Sequence, residues 1–132
     1  MSEPHTPDAL ELRLGLERIV DRGEGGKAVL HYRATADMCH AGGVVQGGFI
    51  TGWIDAAMAH AVAAKTAHAL VPLSLEIKIS FFKGVKPGIV TAEGWVEKLG
   101  RTTAFLEGRL LNEAGDVLAK GTSTAALAAL KR

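Results

Sequence analysis

The sequence predicts an α+β fold, a curved antiparallel sheet of about six strands wrapped around one long central helix. Three observations carry this. The run from Gly47 to about Ala67 is rich in alanine, with Asp55 its only formal charge before Lys65, so it reads as one buried helix. In Leu73-Ser-Leu-Glu-Ile-Lys-Ile-Ser-Phe81 every odd position is apolar and every even one polar, the period of a strand. The rest of the chain falls into strand-length runs punctuated by glycine and asparagine turns.

Residues 1–7 hold two of the four prolines and are expected to be loosely ordered. Pro7-Asp8 starts a short helix to about Leu14, so 1–14 form an N-terminal extension or short helix on a single domain spanning 1–132. Leu16–Asp21 and Lys27–Thr35 are two strands joined by the hairpin turn Arg22-Gly-Glu-Gly-Gly26. Ala36–Gln46 is a glycine-rich loop, and the long helix follows. After the Leu73–Phe81 strand, Lys83–Gly88 supplies a turn, Ile89–Lys98 a strand, Gly100-Arg101 a turn and Thr102–Leu111 a strand. Asn112–Gly115 then closes a hairpin into Asp116–Ala126. The order is two strands, one helix and a meander of four antiparallel strands.

At 132 residues the chain is one domain's worth, able to bury roughly two-thirds of its unfolded surface. Its formal charge of +1 provides no global field for nucleic acid. The single cysteine, Cys39, leaves no internal disulfide and fits a reducing, cytoplasmic setting. The polar start Met-Ser-Glu-Pro-His-Thr-Pro-Asp is unlike a signal peptide. The Gly47–Ala64 run reads as a core helix rather than a membrane span, because it carries glycines, Asp55 and His60 and lacks flanking anchors.

On a helical wheel Phe49, Ile50, Trp53, Ile54, Ala57 and Ala61 share a bulky face. Asp55 falls opposite with Gly48, Thr51, Gly52 and Ala59, and Val62 lies close by. A backbone, a thin ligand or a second copy of the helix could lie against so low a face. A carboxylate in this apolar helix costs free energy unless it is partnered or used. The competing reading is a buried structural Asp satisfied by a hydroxyl such as that of Thr51. At the helix start, Gly47 and Gly48 allow close approach to N–H groups that have no intrahelical acceptor and suit an oxyanion.

Other chemistries find less support. No local signature activates Cys39, and no histidine pair stands at metal-ligand spacing, so no metal site is expected. His60 reads as a satisfied core or edge histidine. Gly42–Gly48 lacks the Gly-Lys-Ser/Thr of a phosphate loop. Lys83, Lys86 and Arg101 sit at turns where they could meet phosphates or simply be solvated. Trp53, Phe81 and Phe82 could line a pocket or fill the core. What remains is a polar loop, a helix N-terminus and a carboxylate two turns on, a set suited to acyl transfer. Within one chain Gly48 and Asp55 lie roughly 10 Å apart along the axis, too far to share a carbonyl. An antiparallel second copy would bring one helix start near the other's Asp55, and the sheet edges also need covering, so a dimer is expected.

At these residues the chain resembles the hotdog-fold acyl-CoA thioesterases, in particular the phenylacetate-pathway (PaaI-like) type of the hydroxybenzoyl-CoA thioesterase group. The core there is Asn, a few residues, Gly, two residues, His-Gly-Gly, then an acidic residue in the following helix. Here it reads His40-Ala-Gly-Gly43-Val-Val-Gln46-Gly47-Gly48, with Asp55 in the acidic position. Ser74–Phe82 is similar to the family's Ser/Thr-led central strand, and Gly100–Thr103 and Asn112–Ala119 to its last hairpins. The likeness spans about residues 15–127.

The resemblance implies a homodimer, often a homotetramer, with sites at the dimer interface and an acyl-CoA substrate. It implies no cofactor beyond the coenzyme A of that substrate, and no nucleic-acid or membrane partner. Asp55 would be nucleophile or general base, the Gly48 N–H, with Gly47, the oxyanion hole, and Ser74 a holder of water or carboxylate. His40, Gly43, Lys83, Lys86 and Arg101 would contact substrate. His40 stands where the family has Asn and Gln46 where it has His. Gln46 can donate to a thioester oxygen but cannot protonate a leaving thiolate. The alternatives are a non-catalytic acyl-CoA binding or sensing module and a hotdog hydratase, the latter weakened by the lack of a His before the double glycine.

Overall fold

A computed structural model describes residues 5–130. Of the segment expected to be loosely ordered, residues 1–4 lie outside the described residues, while His5 is tied to Glu11 by a 2.8 Å contact from Nε2 to Oε1. Helix α1 (Ala9–Leu14) begins where expected because Asp8 and Glu11 form a reciprocal capping box. Strands β1 (Leu16–Arg22) and β2 (Lys27–Ala34) form the first hairpin. A 3-10 turn over Ala36–Met38, not foreseen from sequence, opens the loop into α2 (Gly47–Lys65). Strands β3 (Leu70–Phe81), β4 (Gly88–Leu99), β5 (Thr103–Leu111) and β6 (Val117–Ala129) complete the chain.

The six strands form one antiparallel sheet in the order β1-β2-β4-β5-β6-β3, curved around α2. This corrects the expected meander: β3 does not neighbour β4 but lies at the far edge beside β6. Residues 82–87 cross the ends of β5 and β6, and the Phe82 and Lys83 N–H groups donate to the Leu118 carbonyl at 2.8 and 3.2 Å. Passing from β3 to β4 covers three strand spacings, about 14 Å. Six extended residues reach about 20 Å, so the length that suggested a turn also permits a crossing. β3 also starts three residues early and carries Pro72, which an edge strand tolerates.

α2 ends at Lys65 rather than Ala67. Ala67 and His68 take left-handed backbone angles (φ 52° and 64°), and the Thr66 hydroxyl donates to the Val62 carbonyl at 2.9 Å. Glycine or proline, the usual sequence marks of a stop, are absent there. The sheet covers a wider arc of α2 than the wheel allowed. Met58 and Val62 are buried with Ile50, Trp53, Ile54, Ala57 and Ala61, and Phe49 is only half-buried.

Three glycines decide how deeply α2 sits. Gly94, Gly108 and Gly121 are direct partners across β4, β5 and β6. A Cβ on Gly94 would overlap the Ala57 backbone and stand 2.5 Å from the Met58 nitrogen; on Gly108 it would meet the Ile54 side chain at 2.9 Å. The helix presses its Ile54–Met58 turn onto this bare strip. Asp55 is thereby turned out from the sheet.

Candidate active site

The loop before α2 is held by backbone bonds before any side chain acts. His40 N–H donates to the Val44 carbonyl (3.0 Å) and Gly43 N–H to the His40 carbonyl (2.9 Å), a tight turn that uses the positive φ of Gly43. The Gly42 N–H donates to His40 Nδ1 at 3.0 Å. Val45 N–H then reaches the Val85 carbonyl (2.8 Å) and Gln46 N–H the Met38 carbonyl (2.9 Å). These two bonds fix where the helix begins.

Gln46 is the N-cap, and its Oε1 accepts from the Gly48 N–H at 2.8 Å. The sequence offered Gly48 as the main oxyanion donor with Gly47 beside it. In the structure the Gly48 N–H is engaged by the cap. The Gly47 N–H, at the first helical position, has no intrahelical acceptor. Gly47 also borders a recess of about 330 Å³ with His40, Val45, Ile50, Phe81, Phe82 and Lys83. Phe81 and Phe82 are exposed there, while Trp53 is wholly core and gives its indole N–H to the Leu14 carbonyl at 2.7 Å. Val45, Ile50 and Val85 carry no chemical signal in the sequence and are found only through this recess.

Asp55 is exposed, against the competing reading of a buried structural Asp. Thr51 does not satisfy it, since its hydroxyl donates to the Gly47 carbonyl at 2.9 Å. Ser74 does: its Oγ donates to Asp55 Oδ1 at 3.2 Å across from β3. A bulge between Ser74 and Glu76 turns the strand at this point, and Leu73 and Leu75 beside it are 57 % and 67 % exposed. The carboxylate therefore opens toward the same side as the bare edge of the sheet.

The three basic residues are not together. Lys83 pairs with Asp116 (3.6 Å) beside the helix start, and Lys86 lines a separate cavity of about 340 Å³ with Asn112 and Glu113. Arg101 lies in the β4–β5 turn at the other end of the sheet, about 35 Å away along β4. Cys39 is half-buried, its Sγ 3.7 Å from the Thr35 carbonyl. Among the described residues, no group of three or more His, Cys, Asp or Glu is placed to hold a metal ion, and no helix is long and apolar enough to cross a membrane.

His60 lies outside the site, beneath α1. Its Nε2 is 3.7 Å from Glu11 Oε2, and its ring meets that of His5 edge-on with centroids 6.4 Å apart. Burial pushes its imidazole below the ordinary histidine value, partly opposed by the Glu11 carboxylate.

The sequence model of the Thioesterase superfamily matches residues 42–119. None of the curated proteins matches the chain. Among solved structures, a phenylacetic acid degradation-related protein of Ralstonia eutropha is 27% identical, with a TM-score of 0.81 over 92% of each chain. The E. coli PaaI protein from the phenylacetic acid degradation operon is 22% identical (TM-score 0.78), covering 90% of this chain and 83% of its own. A Streptococcus mutans protein bound to acetyl-CoA is 18% identical (TM-score 0.75), covering 89% of this chain and 90% of its own.

Proposed function

The chain belongs to the thioesterase superfamily and is a thioester hydrolase, and from that premise we propose that it cleaves an acyl- or aryl-CoA to the free acid and coenzyme A. The observation that carries the site is the Asp55–Ser74 pair, a carboxylate oriented by a hydroxyl on the open face of α2. Asp55 attacks the thioester carbonyl or takes a proton from the water that does. The carbonyl oxygen gathers negative charge and is met by the Gly47 N–H at the positive end of the helix. The carbon–sulfur bond then breaks and the thiolate leaves, taking a proton from solvent; where Asp55 itself attacked, water hydrolyses the resulting acyl–Asp55 anhydride, and either way the free acid departs and the Asp55 carboxylate is restored. Ser74 holds the carboxylate or the water, and His40 and Gly43 border the acyl group. Beyond the coenzyme A of the substrate the reaction needs no cofactor.

Gly47 and Asp55 of one chain are about 12 Å apart along the axis. A homodimer with antiparallel helices, itself able to pair into a homotetramer, would join one chain's helix start to the other's carboxylate. We place the enzyme in the cytoplasm, where a lone cysteine stays reduced. The acetyl-CoA bound to the Streptococcus mutans protein supports the same substrate class. One observation favours a non-catalytic acyl-CoA binding module instead: the Gly48 N–H is already engaged by Gln46, an amide that cannot protonate a leaving thiolate. Release of free CoA from a panel of acyl-CoAs, followed with a thiol reagent, separates the two. Saturable binding without CoA release would overturn the hydrolase assignment for that panel.

A further inference from the structure

We propose that the groove between α1 and the end of β2 binds a carboxylic acid with an extended apolar tail, the tail on a cluster of leucines and the head group on Arg13. The groove holds about 820 Å³ and is bounded by Leu10, Leu12 and Leu14 of α1, Leu16 of β1, Met38 of the 3-10 turn and Phe49 of α2. A mostly apolar lining with a few polar groups at its rim is that of a small-molecule site. It lies apart from the catalytic groups: Phe49 is six residues from Asp55, about 120° around the helix, and the walls belong to α1 and the first hairpin, not to β3. α1 has no buried residue, and Leu10 and Leu12 are 65 % and 64 % exposed. A helix of six residues gains little from its own bonds, so an occupant that covers these leucines also stabilises α1.

The rim selects the head group. Of its four charged residues, Arg33 pairs through Nε with Glu17 Oε1 at 2.5 Å, and Asp37 accepts from the Thr35 hydroxyl. Arg13 is exposed and, among the described residues, has no carboxylate partner. The unmatched charge is thus a guanidinium, whose planar fork fits a carboxylate. A second copy laid flat over the groove would leave much of this volume empty, whereas a flexible chain fills it. Acids of this class are what thioester hydrolysis releases, yet the site is independent of turnover and is tested without it.

Sodium decanoate below its micelle concentration is the probe. The Phe49 and Trp53 rings are 6.4 Å apart, so Trp53 fluorescence in a Trp95→Phe background reports occupancy. Binding should tighten about 4-fold for each CH₂ added from octanoate to decanoate. Decanol keeps the tail and loses the charge; it should bind at least about 5-fold more weakly, and Arg13→Ala should bring decanoate to the level of decanol. Leu12→Asp, at an exposed position, should weaken both ligands at least about 10-fold while the fold holds. Decanoate should slow amide exchange in α1 of the wild type and not of Leu12→Asp. No saturable binding, equal binding of decanoate and decanol, or binding untouched by Leu12→Asp would each overturn the proposal. Sedimentation decides the other occupant. If Leu12→Asp dissociates an assembly that decanoate leaves intact, the groove belongs to a second copy and the proposal falls.

Discussion

Asp55 and Ser74 are a pair that can be tested as a pair. Asp55→Asn removes the charge and most of the nucleophilicity, and kcat should fall at least about 10²-fold. Because Asp55 is exposed, its melting temperature should barely move; a large drop with activity tracking the folded fraction would make the residue structural. Ser74→Ala removes one donor to the carboxylate, worth about 1 kcal/mol, so kcat should fall roughly 5- to 10-fold. In the Asp55→Asn background the same change should cost almost nothing more. Additive losses in steady-state kinetics would mean that the two hydroxyl and carboxylate groups act separately.

At the scale of elements, two contacts set α2 in place. Gly94→Ala would drive a methyl into the Ala57–Met58 backbone, and overpacking of this kind should destabilise by about 3 kcal/mol in chemical denaturation. Gly25→Ala is the control, since a Cβ there meets nothing within 4 Å; it should stay within about 0.5 kcal/mol of wild type. The second contact is α1 against α2, through Glu11, His60 and the Trp53–Leu14 bond. His60 faces His5 and Glu11, with the charge of Arg22 near enough to act on it. Its pKa is lowered on folding, so the unfolded chain takes up the proton more readily. The stability this represents is full above the unfolded value of about 6.5 and is lost as pH falls through it toward the lower folded value. Wild type should therefore lose melting temperature between about pH 7 and 5 more steeply than His60→Gln. Parallel curves would mean that protonation of His60 does not act on the α1 contact.

For the whole molecule, Leu73, Leu75 and Phe81 are exposed on edge strand β3, the strand whose Ser74 holds Asp55. An apolar edge of this length is usually covered. Sedimentation should show at least a dimer, and a well-folded, active monomer at nanomolar concentration would sink the shared site. The basic residues give a second test. Charge reversal at Lys83 or Lys86 should raise KM at low salt with little change in kcat, and less so at high salt. Arg101, at the opposite end of the sheet, should behave likewise only if an antiparallel second copy brings that end to the first chain's helix start. Unchanged KM for all three would place the phosphates elsewhere.

The sequence by itself determined the helices α1 and α2 and the six strands, and singled out Asp55 as the one charge within α2 before Lys65. Local patterns carry that information: the alternation of Leu73–Phe81, the Pro7-Asp8 start of the short helix, the alanine run after Gly47-Gly48, and Asp55 alone in it. The order of strands was not legible, because a six-residue link serves a turn and a crossing equally well. Neither was the depth of α2, which depends on Gly94, Gly108 and Gly121 meeting across three strands far apart in the chain. The same distance effect hid the state of the site. A buried Asp55 stood as the competing reading because its neighbours in sequence are apolar, yet burial is set by neighbours in space, and the glycine strip turns it outward to Ser74. The Gly48 N–H was read as open because propensity says nothing of where a glutamine amide folds back, and only the three-dimensional path of Gln46 shows it engaged.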